Sequence, residues 1–211
     1  MARRSDPFDI EITPELIVRA YRAGIFPMSE SAGSADVFWV SPEQRGIIPL
    51  DGLVVATSLR KAIRRSPFTV RVDTDFDAVI EACATVGQDR DETWINATIR
   101  SVYGELFRRG VAHTVEVWDG PALVGGLYGL AIGGAFFGES MFHRATNASK
   151  IALVHLVDRL NAGSFTLLDT QFVTDHLASL GGIEIPRADY EELLATALER
   201  QGDWSAWDRQ G

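Results

Sequence analysis

The sequence predicts an α+β fold, because its strand-like and helix-like segments come in groups and no internal repeat is present. Three strand-like runs follow one another in the middle of the chain, over 113–118, 122–131 and 135–141. Asp119 and Gly120 join the first two runs and form a strong tight-turn signal. The segments that follow are a helix, a buried-type strand and two more helices, beginning at 147, 165, 174 and 189.

The first half of the chain contains shorter elements. Thr13 and Pro14 are typical of a helix start, and Gly24 is typical of its end. The next segment, 25–28, reads as a short, exposed apolar elbow. Further helices are predicted over 59–65, 76–84 (capped by Asp73 or Thr74) and 98–110, and strands over 38–40 and 68–72. We therefore predict a small N-terminal domain, 1–50, and a main domain, 51–211.

Composition is that of an ordinary globular protein. The 211 residues are 46% hydrophobic and 23% charged, which suffices for a sizeable core. The apolar runs are shorter than the ~18 to 20 residues of a membrane span. The N-terminal arginines lack the apolar segment of a secretory signal, and the single cysteine, Cys83, fits a reducing compartment. These features predict a cytoplasmic protein.

A carboxylate lies in the third strand-like run. If this run is a regular strand, Glu139 shares a face with Phe137 and Met141. A carboxylate among large apolar side chains is solvated at an edge, paired with a cation, or functional.

A second polar pair follows the apolar strand at 165–168. Asp169 and Gln171 share a strand face, so that a carboxylate and an amide point to one place. Residues at the carboxyl end of a buried strand commonly line a site. The alternative is that Asp169 only caps the following turn.

A basic cluster lies on the helix predicted over 59–65. Its four cations form like-charged i,i+4 pairs and comprise Arg60, Lys61, Arg64 and Arg65. Such a cluster is either a solvated helix face or a contact for a polyanion. The net charge of −9 argues only weakly against a nucleic-acid partner, since an acidic body can carry a local basic patch.

Metal chemistry is not predicted. The four histidines lack metal-ligand spacing, and one cysteine cannot complete a structural zinc site. These histidines are His113, His143, His155 and His176.

Nine segments, spread in order over nearly the whole chain, together resemble the bacterial leucyl/phenylalanyl-tRNA–protein transferases. They read YRAGIFP (21–27), WVSP (39–42), TWI (93–95), VEVW (115–118), LVGGLYG (123–129), GESMF (138–142), NASK (147–150), LDTQ (168–171) and SLG (179–181). Met28 stands where some members have tryptophan.

The resemblance implies a main domain similar to the acetyltransferase superfamily (GNAT-like). It also implies transfer of leucine or phenylalanine from its tRNA to proteins that begin with arginine or lysine, which marks them for N-end rule degradation. No metal or organic cofactor is expected, and the protein is expected to be a monomer.

Within this resemblance we expect Asp169 to orient and polarise Gln171, and Glu139 to hold the acceptor N-terminus or the donor's terminal adenosine. The basic helix then contacts the tRNA acceptor stem. Met28, Trp39 and Trp94 are expected to pack on the adenosine. The apolar donor pocket is expected to comprise Leu127, Phe136, Met141, Leu153 and Leu156.

Two rival functions stay open. An acetyl-CoA-dependent N-acetyltransferase is disfavoured, because the segment before the central helix, 143–150, contains no glycine for a pyrophosphate loop. A non-catalytic tRNA-binding or peptide-binding module is disfavoured by the pairing of Asp169 with Gln171.

Overall fold

The computed structural model describes residues 11–34, 36–85 and 93–209. Its helices are α1 (Pro14–Arg22), α2 (Thr57–Arg65), α3 (Phe76–Ala84), α4 (Ala97–Arg108), α5 (Ala148–Ala162), α6 (Asp175–Ala178) and α7 (Arg187–Leu198). Its strands are β1 (Phe26–Met28), β2 (Phe38–Val40), β3 (Gln44–Ile47), β4 (Thr69–Val72), β5 (Ala112–Asp119), β6 (Ala122–Ile132), β7 (Ala135–His143), β8 (Leu167–Gln171) and β9 (Ile183–Pro186). The predicted α+β class is confirmed.

Most strands form one mixed seven-stranded sheet in the order β4-β5-β6-β7-β8-β3-β9, and β1 and β2 form a separate pair. All neighbours in the large sheet are antiparallel except β7 and β8, which are parallel. The ladder between β7 and β8 ends at Phe137 and Asp169, although β7 continues to His143 and β8 to Gln171. The polar ends of these two strands are therefore not joined to each other.

Two hydrophobic clusters cover the two faces of the large sheet. One face packs against α1, α3, α4 and α7, and Tyr128 and Phe137 point to it from the central strands. The other face packs against α2 and α5, and Leu127 and Phe136 point to it. The alternation of side chains along each strand divides the core in this way.

A β-bulge in β7 changes the predicted facing of its side chains. Tyr128 pairs with Ser140, but Gly129 pairs with Gly138, so Glu139 is the extra residue. The prediction that Met141 shares the face of Glu139 is wrong. One inserted residue reverses the alternation after it, and Met141 packs on the cluster that contains Phe136.

Other local predictions also need correction. The segment 25–28 is not an exposed elbow: it forms β1, in which Phe26 is buried. Helix α3 is capped by Asp75, whose side chain accepts the Ala78 N–H, and not by Asp73 or Thr74. Strands β3 and β9 were not predicted, although both belong to the large sheet.

Within the part of the chain that the structure describes, no helix has the length and apolar character needed to cross a bilayer. The N-terminal segment considered as a secretory signal includes residues 1–10, which lie outside the described residues.

The bulge depends on the absence of a side chain at Gly129. A Cβ there would overlap the carbonyl oxygen of Phe137 and the ring of Phe136. We expect Gly129→Ala to lower the free energy of unfolding by about 1–3 kcal/mol or more, measured by denaturant titration. Gly104→Ala is the matched control, because its Cβ would meet only Arg108 Nη1 at 3.8 Å and the site lies within α4. It should be neutral or stabilising by up to about 1 kcal/mol, and equal losses in both variants would contradict this account.

Candidate active site

Asp169 lies at the end of β8 and is completely buried. Its Oδ1 accepts hydrogen bonds from Arg45 Nε at 2.9 Å and from the Gln171 backbone N–H at 2.8 Å. Its Oδ2 accepts from Arg45 Nη2 at 2.6 Å and from the Tyr190 hydroxyl at 2.8 Å. The carboxylate thus holds the backbone of Gln171, the last residue of β8, and also binds two side chains from other elements.

Gln171 adopts an unusual backbone conformation at the end of the same strand. Its φ is 60°, in the left-handed region that residues other than glycine seldom occupy. It pairs with Gly46 of β3, where a Cβ would lie 2.5 Å from the Phe172 carbonyl carbon. The side chain is 6% exposed, and its Nε2 is buried without a hydrogen-bond partner among the described residues. An unpartnered buried amide is costly, so this group is suited to a ligand.

Arg45 of β3 is 1% exposed and makes a bidentate ion pair with Asp169. Its Nη1 donates to the Gly24 carbonyl oxygen at 2.9 Å. The guanidinium carbon lies 4.6 Å from the ring centroid of Phe26 and 4.4 Å from that of Tyr190. Burial and the charge of Asp169 raise the pKa of Tyr190 well above its ordinary value, so Tyr190 is a hydrogen-bond donor to the carboxylate.

Glu139 binds two buried tyrosines. Its Oε1 accepts from the Tyr21 hydroxyl at 2.7 Å, and its Oε2 accepts from the Tyr103 hydroxyl at 3.2 Å. The two hydroxyls lie 2.6 Å apart. Burial raises the pKa of Glu139 to about 8, and the charge of Asp169 adds to this, while the tyrosine hydrogen bonds act in the opposite direction. Glu139 is therefore neither a solvated carboxylate nor one arm of an ion pair.

The structure brings Asp169 and Glu139, two of the three predicted polar residues, to one side of the sheet. Asp169 is close enough to Glu139 to raise its pKa. Tyr21 contacts β7 twice: its ring packs edge-on against Phe137 at 4.9 Å, and its hydroxyl donates to Glu139.

The predicted donor-pocket residues meet on the opposite face. Four of them are almost fully buried in the cluster under α5, and Met141 packs at its margin. The four are Leu127, Phe136, Leu153 and Leu156. Their close packing is what a core requires, and a pocket among them stays a prediction.

Met28, Trp39 and Trp94, predicted to contact adenosine, are partly buried and pack against the cluster that contains Tyr21 and Phe137. Met28 and Trp39 lie on the paired strands β1 and β2. They therefore lie on the face of the carboxylates.

The four predicted tRNA-binding cations are exposed on α2: Arg60, Lys61, Arg64 and Arg65. The helix contacts the sheet through Leu59, which belongs to the cluster of the predicted donor pocket. The basic helix and the predicted pocket thus lie on one face of the sheet. Glu139, Asp169 and the side chains that hydrogen-bond to them, which we call the polar cluster, lie on the other face.

Four residues of the polar cluster were not predicted from the sequence: Tyr21, Arg45, Tyr103 and Tyr190. Arg45 is separated from Asp169 by 124 positions and Tyr103 from Tyr21 by 82. The family segment that begins at Tyr21 was the one available signal for any of them.

Comparison with known proteins identifies the class as transferase enzymes that act between aminoacyl-tRNA and protein. The model of the leucyl/phenylalanyl-tRNA protein transferases matches residues 47–195, and that of their N-terminal domain matches residues 10–43. The chain belongs to this family.

Three relatives named leucyl/phenylalanyl-tRNA–protein transferase are each 55% identical to the chain. The one from Afipia carboxidovorans aligns over 93% of this chain and 86% of its own length. Those from Rhodospirillum rubrum and Rhodopseudomonas palustris align over 93% and 98% of this chain, and each over 92% of its own length.

Similar solved structures are more distant. The C-terminal domain of a protein described as a lysylphosphatidylglycerol synthetase, from Agrobacterium fabrum, has a TM-score of 0.42 at 9% identity, covering 80% of this chain and 55% of that one. L-PGS from Bacillus licheniformis has a TM-score of 0.43 at 8% identity, covering 89% and 71%. The predicted likeness to acetyltransferases is not confirmed by these matches.

The raised pKa of Glu139 predicts a pH-dependent stability. Its ordinary value of 4.5 applies to the unfolded chain, whereas the folded value is about 8. The folded state therefore holds the proton more tightly, and this stabilisation is complete below the unfolded pKa and is lost as the pH rises through about 8.

Relative to Glu139→Gln, the wild-type free energy of unfolding should fall between about pH 5 and 8.5, by at most about 1.4 kcal/mol per pH unit. Denaturant titrations across this range measure it. Glu192→Gln, at an exposed position of α7, should leave the pH dependence unchanged. Parallel curves for wild type and Glu139→Gln would refute the assigned pKa.

Proposed function

We propose that this protein transfers leucine or phenylalanine from its tRNA to the α-amino group of proteins that begin with arginine or lysine. The observation that supports this most directly is the buried polar cluster at the end of β8, where Asp169 binds the backbone of Gln171. Family membership supplies the reaction class, and the cluster supplies residues suited to it. The cluster also disfavours the alternative that the protein only binds tRNA or peptide, because a binding module needs no such cluster.

The reaction itself needs little driving force from the protein. The α-amine attacks the carbonyl carbon of the aminoacyl ester, a C–N bond forms, the ester C–O bond breaks, and the ribose hydroxyl leaves with a proton. An α-amino group has an ordinary pKa of about 7.7 to 8, so a fraction is neutral near pH 7. The main tasks are to hold the amine against the ester and to remove one proton.

Asp169 acts on this reaction through Gln171. Each oxygen of its buried carboxylate already accepts two hydrogen bonds, four in all. The carboxylate is therefore not available as a base. It fixes the backbone of Gln171 by accepting its N–H. The side-chain carbonyl of Gln171 then accepts a hydrogen bond from the attacking amine and draws it towards the ester.

Glu139 is suited to the acceptor side of the reaction. Its pKa of about 8 is close to that of an α-amino group, which favours proton exchange between the two. An entering cationic N-terminus would also favour the ionised carboxylate. We therefore assign Glu139 to the acceptor N-terminus, with contact to the donor adenosine as the alternative.

The donor's apolar side chain requires a dry pocket, and the cluster under α5 is the candidate. Met141 is its partly exposed member, while Phe136 forms its buried wall. Met28, Trp39 and Trp94 are proposed to pack on the terminal adenosine, since aromatic side chains stack on unpaired bases.

The basic face of α2 is proposed to bind the tRNA acceptor stem. Arg64 and Arg65 stand in its last turn, and α2 has no acidic residue in its first turn to offset the positive charge. We further propose that the protein is a monomer, that it acts in the cytoplasm and that its products are marked for degradation. The single cysteine, Cys83, fits a reducing compartment.

Purified protein incubated with radiolabelled leucyl-tRNA and a peptide beginning with arginine should transfer label to the peptide. Asp169→Asn and Gln171→Ala should each lower the rate by about 10- to 100-fold, because the amine is no longer positioned. Asp175→Asn, at an exposed position of α6, is the control. Near-wild-type rates for both variants would remove the catalytic assignment, and absence of transfer with retained tRNA binding would favour a binding module.

Neutralising the α2 cations should weaken tRNA binding. The fourfold glutamine variant should lose affinity at physiological salt, and the slope of log affinity against log salt should fall by up to about one for each phosphate-contacting cation removed. Filter binding at several salt concentrations measures both quantities. The fourfold variant replaces Arg60, Lys61, Arg64 and Arg65.

A matched pair of double variants tests the location. Arg64→Gln/Arg65→Gln removes two adjacent cations at the end of α2, and Arg108→Gln/Arg109→Gln removes two at the end of α4, whose buried side chains belong to the other face. Only the α2 double variant should weaken tRNA binding. Equal losses of affinity in the two variants would show that the overall charge of the protein, and not α2, is responsible.

A further inference from the structure

We infer that Arg45 is a positioning residue for aminoacyl transfer, which holds Asp169, and through it Gln171, in register with the N-terminal part of the active site. The inference rests on the proposed roles of Asp169 and Gln171. Its basis is one fully enclosed guanidinium group that reaches the catalytic strand end and the end of α1 at the same time.

The first contact fixes the carboxylate itself. Nε and Nη2 of Arg45 donate to the two oxygens of Asp169 at 2.9 and 2.6 Å. A planar guanidinium matches a carboxylate in this bidentate geometry and determines its orientation as well as its position. Tyr190 donates to Oδ2 at 2.8 Å, and with the Gln171 N–H this leaves the carboxylate four donors and a single orientation.

The orientation of the Asp169 carboxylate matters because it determines the backbone conformation of Gln171. Oδ1 accepts the Gln171 N–H, and this holds a residue with φ of 60°. Strand β3 also contacts this segment directly through Gly46, the residue after Arg45. Gly46 pairs with Gln171, and its lack of a side chain leaves room for the Phe172 backbone.

The second contact connects this strand end to α1. Nη1 of Arg45 donates to the carbonyl oxygen of Gly24, which follows α1, and the guanidinium packs against the ring of Phe26 in β1. Helix α1 also carries Tyr21, whose hydroxyl donates to Glu139. Arg45 thereby sets the position of the segment that orients Glu139 relative to the strand that orients Gln171. Because the amine must meet both groups, a small shift between them affects the reaction more than binding.

The test is Arg45→Lys in the purified full chain. A lysine is a point donor that cannot reproduce the two parallel hydrogen bonds and the bond to Gly24 together. We expect kcat to fall by about 10- to 100-fold, with the KM values for aminoacyl-tRNA and for an Arg-initiated peptide changing less than about threefold. Tyr190→Phe, which removes only one hydroxyl, should lower kcat by a smaller factor of about three to ten.

A double-mutant cycle separates positioning from a general loss of structure. If Arg45 acts through Asp169, the kcat of Arg45→Lys/Asp169→Asn should be no lower than that of the more impaired single variant. All rates are compared at a temperature well below each variant's unfolding midpoint. Arg187→Lys is the matched control, because the Arg187 side chain is exposed and makes long contacts, at 3.3 Å to the Ser41 carbonyl oxygen and 3.6 Å to Glu43. It should retain wild-type kcat.

The outcomes distinguish this inference from the proposed function. If Asp169→Asn lowers kcat while folded Arg45→Lys and Tyr190→Phe stay within about twofold of wild type, the positioning role is wrong and the function stands. Losses that multiply in the double variant would also overturn it. If Asp169→Asn itself has wild-type kcat, the proposed catalytic assignment fails first.

Discussion

The buried ion pair between Arg45 and Asp169 is the interaction on which the architecture of the candidate active site depends. Removing one partner of such a pair leaves an uncompensated buried charge and costs about 3–5 kcal/mol. Here both partners are almost completely enclosed, and each has further hydrogen bonds, to Gly24, Gln171 and Tyr190. The pair therefore acts as a geometric constraint as well as a contribution to stability. It fixes the relative positions of β3, β8 and the end of α1, which are far apart in the sequence.

Around this constraint the large sheet separates two chemical environments. The face under α1, α4 and α7 carries hydroxyl, carboxylate and guanidinium groups among aromatic rings, and there Glu139 accepts hydrogen bonds from Tyr21 and Tyr103. The face under α5 is formed by closely packed aliphatic side chains with Phe136. The parallel ladder between β7 and β8 stops at Phe137 and Asp169, and Glu139 and Gln171 follow it on the two strands.

The sequence allowed prediction of features that depend on neighbouring residues. Thr13 and Pro14 marked the start of α1, and the polar end of an apolar strand located Asp169 and Gln171. Features that depend on distant residues were not predictable. The partners of Arg45 lie 21 and 124 positions away, and the bulge at Glu139 arises only when β7 pairs with β6. Strands β3 and β9 were missed because β3 contains a single large apolar residue, Ile47, and β9 ends in Pro186, so neither carries a clear strand signal.

Under the proposed roles, the bulge in β7 gives the two substrates independent determinants on one strand. Glu139 lies on the face of the sheet that we propose for the acceptor, while Phe136 and Met141, three positions before it and two after, lie on the face that we propose for the donor side chain. A substitution that reshapes the donor side need not alter the charge that the acceptor meets, and the reverse also holds. Donor preference and acceptor preference can thus diverge separately among relatives, provided that the extra residue in β7 is kept.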